Sequence, residues 1–125
     1  MKTVIATSEA PRAIGPYSQA VTANGWLFVS GQIPLDPITG EQVEGDITDQ
    51  TERVLQNVLA VLHANKMTPA NVVKSTVFMT DLADFTAMNA VYSRYFSEPF
   101  PARSTIQVAA LPRGARVEIE VIAAP

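Results

Sequence analysis

The clearest periodic pattern in the chain is a run of apolar residues spaced as on one face of a helix. Apolar or small side chains recur every three or four positions, at Ile47, Thr51, Val54, Leu55, Val58, Leu59 and Leu62. Asp46 precedes the run and can cap its first turn, and Asp49 is favourably placed near the positive end of the helix dipole. The pattern predicts a first helix from about Ile47 to Ala64.

A second helical stripe follows Asp81 and Asp84, either of which can cap it. Its apolar positions are Phe85, Met88, Val91, Tyr92, Tyr95 and Phe96. Pro99 and Pro101 end this helix, because proline cannot continue it. We interpret the three aromatic residues in the C-terminal half of the stripe as core rather than as a ligand-binding box.

Strand-like segments rich in β-branched residues surround the two helices. They cover residues 2–7, 18–23, 26–30, 72–80, 102–110 and 116–123. Asn24-Gly25 tolerates positive φ and predicts a type I′ hairpin between the second and third segments. The last two segments, separated by Leu111-Pro112-Arg113-Gly114, are expected to form another hairpin. This order predicts a single α+β domain over residues 1–125, with two helices packed on one face of a mixed sheet.

In the expected final hairpin, apolar and polar residues alternate. Ser104, Ile106, Val108, Val117, Ile119 and Val121 are expected to share the core face. The opposite face would then carry Arg103, Thr105, Gln107, Glu118 and Glu120. An arginine and two carboxylates on one face indicate either an anion site with an acid or base group, or a solvated surface with an ion pair.

Two glycine-containing segments are a second candidate site. Gly15-Pro16-Tyr17 is a rigid loop that places a phenol at a strand edge, and Ser30-Gly31-Gln32 ends the third strand segment. Glycine at such a position can let a ligand approach the backbone or expose an amide donor. Each segment taken alone can equally be a simple turn.

Composition narrows the class of protein. The chain has 125 residues, 47% of them hydrophobic and only 17% charged, so one core is expected to leave apolar surface for self-association. The net charge is −3, and the nine Lys and Arg residues are scattered along the sequence. We therefore expect no nucleic-acid partner.

Absent residue types exclude several chemistries. The chain contains no cysteine, which excludes disulfides, thiolate zinc sites and a cysteine nucleophile. His63 is the only histidine, has no carboxylate cluster beside it in sequence, and is expected on the surface of a helix end, so no metal site is predicted. The sequence also lacks a signal-like N-terminus and a membrane-spanning apolar stretch, and we expect a cytoplasmic protein without a membrane partner.

Several dispersed blocks of the sequence together resemble the reactive intermediate deaminase (RidA/YjgF-like) family. They are Ile14-Gly15-Pro16-Tyr17-Ser18-Gln19-Ala20, Phe28-Val29-Ser30-Gly31-Gln32-Ile33-Pro34, Asp36-Pro37 with Thr39-Gly40, Asp81-Leu82 followed by Phe85 and Asn89, and Pro101-Ala102-Arg103-Ser104 continuing to Val117-Glu118-Ile119-Glu120. The resemblance implies a chorismate-mutase-like fold, a homotrimer with sites between subunits, and no cofactor. It also implies a 2-iminobutanoate/2-iminopropanoate deaminase-type hydrolase that converts enamine/imine intermediates to 2-oxo acids and ammonia.

The same resemblance assigns roles to individual residues. Arg103 would bind the substrate carboxylate, and Glu118 would activate water or pass protons, with Glu120 as a second candidate acid. The pocket would be shaped by Tyr17, Ser30, Gly31 and Asn89, and by Thr105, which stands where many members carry cysteine. Two alternatives remain: a non-catalytic module that binds small carboxylic acids such as 2-oxo acids, and a ribonuclease or translation inhibitor, which the acidic composition disfavours.

Overall fold

The computed structural model describes residues 1–125, which form one mixed six-stranded sheet with two helices. The elements are β1 (Thr3–Ile5), β2 (Ala20–Ala23), β3 (Trp26–Gln32), α1 (Ile47–Ala64), β4 (Val72–Met79), α2 (Phe85–Tyr92), β5 (Ala102–Gln107) and β6 (Val117–Ala123). Short 3-10 turns span Pro69–Asn71, Leu82–Asp84 and Pro112–Gly114. The strand order is β1-β2-β3-β6-β4-β5, in which β4 and β5 are parallel and all other neighbours are antiparallel.

The first helix and the first hairpin confirm the sequence-based predictions. Helix α1 begins after Asp46, whose side chain accepts a hydrogen bond from the Asp49 amide at 3.2 Å, while the Asp49 carboxylate accepts from the Asp46 amide at 3.2 Å. This reciprocal capping box satisfies two amides at the helix N-terminus. Asn24 and Gly25 have φ values of 52° and 80°, the positive values that a type I′ turn requires.

The second helix is shorter than its apolar stripe predicts. Asp81 caps the 3-10 turn by accepting from the Ala83 amide at 2.9 Å, whereas Asp84 accepts from the Arg116 guanidinium at 2.7 Å. Helix α2 then ends at Tyr92, and the next residues continue as tight turns. Tyr92 and Phe96 are nonetheless buried in the core, as the stripe predicts.

The core lies between the two helices and one face of the sheet. Its fully buried side chains include Leu27, Leu55, Val58, Met88 and Ile119. The other face of the sheet carries no helix, and Phe28 and Ile106 remain 41% and 44% exposed there. Neither α1 nor α2 has the length and apolar character needed to cross a lipid bilayer.

The predicted final hairpin is wrong. β4 lies between β5 and β6, so β5 is an edge strand and β6 is central. β6 takes the central position because Val117, Ile119 and Val121 bury one face completely while its backbone pairs with strands on both sides. The prediction failed because it assumed that consecutive strands pair with each other.

The predicted shared polar face is wrong for the same reason. In the parallel register Ser75 is opposite Arg103 and Val77 is opposite Thr105, so these β5 side chains lie on the helix-covered face. Ile106, expected in the core, lies on the helix-free face. Glu118 also lies on the helix-free face, opposite Phe78. Arg103 and Glu118 are therefore on opposite faces of the sheet.

Candidate functional site

Glu118 lies directly against the backbone of Gly31 on the neighbouring strand. A Cβ atom at Gly31 would lie 2.0 Å from Oε2 of Glu118 and 2.8 Å from its Cδ, far inside van der Waals contact. The register between β3 and β6 shifts between Val29 and Gln32, as at a β-bulge, which redirects side chains and is frequent beside active sites. The position of the Glu118 carboxylate therefore depends on the missing side chain at Gly31.

The surroundings of Glu118 favour its protonated form. Burial raises the pKa of the Glu118 carboxyl, and the negative charge of Glu120 raises it further. Neither of the two ion pairs in the chain involves Glu118. A half-buried carboxyl whose pKa is raised can accept a proton and return it, as a general acid or base must.

Tyr17 and Ser30, the residue that precedes Gly31, line a shallow cavity. The Ser30 hydroxyl donates to the Ser18 carbonyl at 2.6 Å, which leaves its oxygen free to accept from a ligand. Tyr17 is 55% exposed, and its ring borders the same cavity of about 370 Å³. We call Tyr17, Ser30, Gly31 and Glu118 the acid side of the candidate site.

Arg103 has no acidic partner within the chain. Its Cζ atom lies 4.7 Å from the ring centroid of Tyr92 and 5.6 Å from that of Phe85. The two ion pairs of the chain, Arg94 with Glu52 and Arg116 with Asp84, leave this guanidinium out. A half-buried guanidinium held by aromatic rings keeps its N–H donors available for an anion.

Asn89 and Thr105 lie close to Arg103 in the fold. Asn89 is four residues from Phe85 and three from Tyr92, so the three share one face of α2. Thr105 is two residues beyond Arg103 on the same face of β5, and both side chains are half-buried. We call Arg103, Thr105 and Asn89, with the rings of Phe85 and Tyr92, the arginine side.

The two aromatic rings were missed as site residues by the sequence analysis. Phe85 and Tyr92 have the seven-residue spacing of one helix face, which equally indicates core packing. Only the parallel pairing of β5 with β4 brings Arg103 beside them. The sequence pattern of α2 alone contains no signal for this long-range contact.

One chain does not join the acid side to the arginine side. Glu118 and Arg103 are separated by β4 and by three residues along the strands, which places their Cα atoms about 14 Å apart and their side chains on opposite faces. The residues expected at one site thus form two half-sites.

His63 is exposed at the end of α1, as expected, and no group of three or more His, Asp or Glu side chains is arranged to hold a metal ion.

The sequence and the fold have close counterparts in known proteins. A RutC family protein of Pyrococcus horikoshii is 52% identical over 123 residues, covering 98% of this chain and 98% of the relative. The human protein named 2-iminobutanoate/2-iminopropanoate deaminase is 46% identical over 123 residues, covering 98% of this chain and 90% of the relative. Among solved structures, E. coli TdcF with bound serine matches with a TM-score of 0.93 at 44% identity and covers 98% of both chains.

A family model also matches the chain. The model described as endoribonuclease L-PSP matches residues 7–125, nearly the whole sequence. The resemblance inferred from the dispersed sequence blocks is thereby confirmed. The chain belongs to the endoribonuclease L-PSP family, which is the RidA/YjgF family.

Proposed function

We propose that this protein is an imine deaminase that hydrolyses small 2-imino acids to 2-oxo acids and ammonia, at sites formed between the subunits of a homotrimer. The observation that carries the proposal is the half-buried Arg103 guanidinium without a carboxylate partner, on a fold that also holds a carboxyl of raised pKa. The deaminase name of the human relative supports the same reaction class.

Arg103 is suited to bind the substrate carboxylate. A guanidinium offers two parallel N–H donors that match the two oxygens of a carboxylate, with a geometry that lysine cannot reproduce. The aromatic rings of Phe85 and Tyr92 lie beside the cation, and neither ion pair of the chain takes up its donors. Serine, the ligand in the E. coli TdcF structure, also carries a carboxylate.

Glu118 is suited to the proton transfers of imine hydrolysis. As a base it takes a proton from water while the water oxygen forms a bond to the imine carbon and the imine nitrogen gains a proton from solvent. The resulting carbinolamine loses ammonia when the C–N bond breaks, the nitrogen receives a proton from Glu118, and the hydroxyl proton is released to leave a 2-oxo acid. Such a shuttle contributes roughly 10²–10⁴-fold, and orientation by Arg103 adds to it without a cofactor.

The separation of the half-sites supports a shared site between subunits. A 2-imino acid has its imine carbon bonded directly to its carboxylate carbon, so it cannot reach across about 14 Å and through the sheet. A neighbouring subunit that packs on the helix-free face, where Phe28, Phe78 and Ile106 are only partly covered, can bring its Arg103 to this Glu118. The arrangement places Tyr17 and Ser30 with Glu118 on one subunit and Asn89 and Thr105 with Arg103 on the next.

Imine hydrolysis is tested directly by product formation. An amino-acid oxidase generates 2-iminobutanoate in situ, and release of 2-oxobutanoate and ammonia is followed with and without this protein. We expect a rate well above spontaneous hydrolysis. A protein that binds 2-oxobutanoate but leaves the spontaneous rate unchanged would instead be a carboxylic-acid binding module.

Subunit sharing is tested by mixing two inactive variants, Arg103→Ala and Glu118→Gln. In randomly mixed trimers, about three quarters contain both variants, and each of these has one of its three sites intact, so about a quarter of wild-type activity should return. Sites contained within one subunit would give no recovery. Light scattering on the wild type checks the trimer, and a fully active monomer of 13.5 kDa would refute it.

The family description names endoribonucleases, and this alternative makes a different prediction. A net charge of −3 with scattered basic residues offers little neutralisation of RNA phosphates. We expect no binding of RNA at moderate salt and no cleavage by nuclease-free protein. Tight, strongly salt-dependent RNA binding would favour the ribonuclease activity over the deaminase.

A further inference from the structure

We propose that Tyr92, anchored by Ser75, is a positioning residue that sets the orientation of the Arg103 guanidinium. The inference rests on the proposed function, because it concerns how the carboxylate-binding group is held. It assigns to Tyr92 a role beyond its place in the core.

Tyr92 is fixed by a buried hydroxyl pair. Its Oη lies 2.6 Å from Oγ of Ser75, and the two side chains are 6% and 0% exposed. Burial raises the pKa of the Tyr92 phenol, so the neutral hydroxyl persists across the physiological range. A buried hydroxyl that gave up this partner would lose a short hydrogen bond inside the core, which discourages rotation of the ring.

Ser75, which anchors Tyr92, and Arg103 lie on adjacent paired strands. Ser75 on β4 is the register partner of Arg103 on β5, so their side chains extend from the same face of adjacent strands. Tyr92 reaches this pair from α2, with its hydroxyl on Ser75 and its ring 4.7 Å from Cζ of Arg103. The ring is therefore a rigid support whose orientation is set by a residue next to Arg103.

An aromatic ring and a carboxylate can both hold an arginine side chain, but they differ in whether the N–H donors of the guanidinium remain free. Arginine loses considerable side-chain entropy when it is fixed, and an acidic neighbour would fix it by occupying the N–H donors that a substrate needs. An aromatic face attracts the cation through the ring quadrupole and leaves the edge of the guanidinium open. Arg103 has no ion-pair partner in the chain, and a second ring, Phe85, lies at 5.6 Å.

The test compares Tyr92→Leu with Met88→Ala in the full-length protein, with 2-oxobutanoate as the probe. Met88 is fully buried on the same helix, so its truncation destabilises α2 without removing the ring beside Arg103. We expect Tyr92→Leu to weaken 2-oxobutanoate binding roughly tenfold and to raise KM more than it lowers kcat. Met88→Ala should bind as the wild type does despite a lower Tm.

Two milder variants keep the test decisive if Tyr92→Leu does not fold. Tyr92→Phe and Ser75→Ala remove the same hydroxyl pair and keep the ring, so each should weaken binding measurably, by up to about threefold. The double variant should be no weaker than either single variant, because both substitutions remove one interaction. Additive losses, or no loss in either single variant, would refute the anchoring by Ser75.

The outcomes separate this inference from the proposed function. If the wild type hydrolyses the imine and Tyr92→Leu binds 2-oxobutanoate normally, or Tyr92→Leu and Met88→Ala weaken binding equally, the positioning role is wrong and the function stands. If the wild type binds 2-oxobutanoate without hydrolysing the imine and Tyr92→Leu alone weakens binding, the positioning role stands and the catalysis is wrong. A wild type that does neither overturns both.

Discussion

The acid side and the arginine side of the candidate site are built by opposite means. Glu118 owes its position to an absent side chain, because only glycine at position 31 leaves room for the carboxylate. Arg103 owes its position to large side chains, the rings of Phe85 and Tyr92. The acid side thus depends on the absence of a side chain at one position, and the arginine side depends on two large aromatic side chains.

The electrostatics of the two half-sites differ in the same complementary way. Glu118 is half-buried and has another carboxylate near it, and both burial and that charge raise its pKa and favour uptake of a proton. Arg103 has aromatic rings near it and no carboxylate partner, so its cation keeps its capacity to bind an anion. Each half-site lacks the charge that the other supplies, which is the arrangement expected if they function together across a subunit boundary.

The largest effect is expected from Glu118→Gln, which keeps the shape of the side chain and removes the proton acceptor. If Glu118 is the acid or base, kcat should fall by on the order of 10²-fold or more, while affinity for 2-oxobutanoate changes little. Steady-state kinetics and calorimetric titration measure the two quantities. A fully active variant with unchanged oligomeric mass and Tm would exclude Glu118 from the proton transfers.

Arg103→Lys tests the other half-site and should act on binding instead. Lysine keeps the charge but loses the two-pronged contact, so 2-oxobutanoate affinity and kcat/KM should fall together, by about tenfold to a hundredfold. The acid limb of the pH profile, which we assign to Glu118, should stay in place. If kcat falls without a loss of affinity, the two half-sites do not divide binding from proton transfer.

Local elements were predictable from the sequence, whereas the relative positions of the site residues, such as Arg103, were not. Helix α1, its Asp46 cap and the Asn24-Gly25 turn were predictable, because each depends on residues within a few positions of one another. The candidate residues themselves came from the family resemblance, whose motifs identify residues without giving their relative positions.

The face on which each candidate lies could not be predicted from alternation alone. On an edge strand such as β5, polar residues can face the helices at the rim of the core, and Ile106 can face outward. The insertion of β6 between β3 and β4 depends on pairings between residues far apart in sequence, such as Gln32 with Ile119. The contact of Glu118 with Gly31 depends on the same pairing.

Gly31→Ala tests whether the missing side chain positions the carboxylate. The new Cβ would overlap Glu118 Oε2, so the carboxylate must move and kcat should fall about tenfold, less than for loss of the acid itself. Gly31 does not have a positive φ, so alanine introduces no backbone strain of the kind it would at Gly25.

The control for this variant is the same substitution in the Glu118→Gln background. If Gly31→Ala acts by displacing Glu118, it should lower kcat little further once the carboxylate is gone. A full additional loss of activity in the double variant would mean that Gly31 contributes in another way, such as by its backbone amide.

The smallest effect is expected from Glu120→Gln, which leaves Glu118 in place and removes the neighbouring charge. Because burial and Glu120 both raise the pKa of Glu118 above its ordinary value of 4.5, the base form is lost at a higher pH than for an exposed glutamate. Without the Glu120 charge the pKa of Glu118 should fall, and the acid limb of kcat/KM should move to lower pH. If Glu120 were instead the acid or base, kcat would collapse across the whole pH range.

The free energy of unfolding should also depend on pH through Glu118, and the direction of that dependence can be checked independently of activity. A carboxyl whose pKa is higher in the folded chain than in the unfolded chain binds its proton more tightly when folded, so its contribution to the free energy of unfolding declines as pH rises from 4.5 through the raised pKa. Glu120→Gln lowers the folded-state pKa of Glu118, so the pH window over which this contribution declines should become narrower. Glu118→Gln should abolish the contribution of this group. Urea denaturation at a series of pH values measures the difference between the variants. A window that is equally wide with and without Glu120 would show that burial alone raises the pKa of Glu118, and the acid limb of kcat/KM should then also stay where it is.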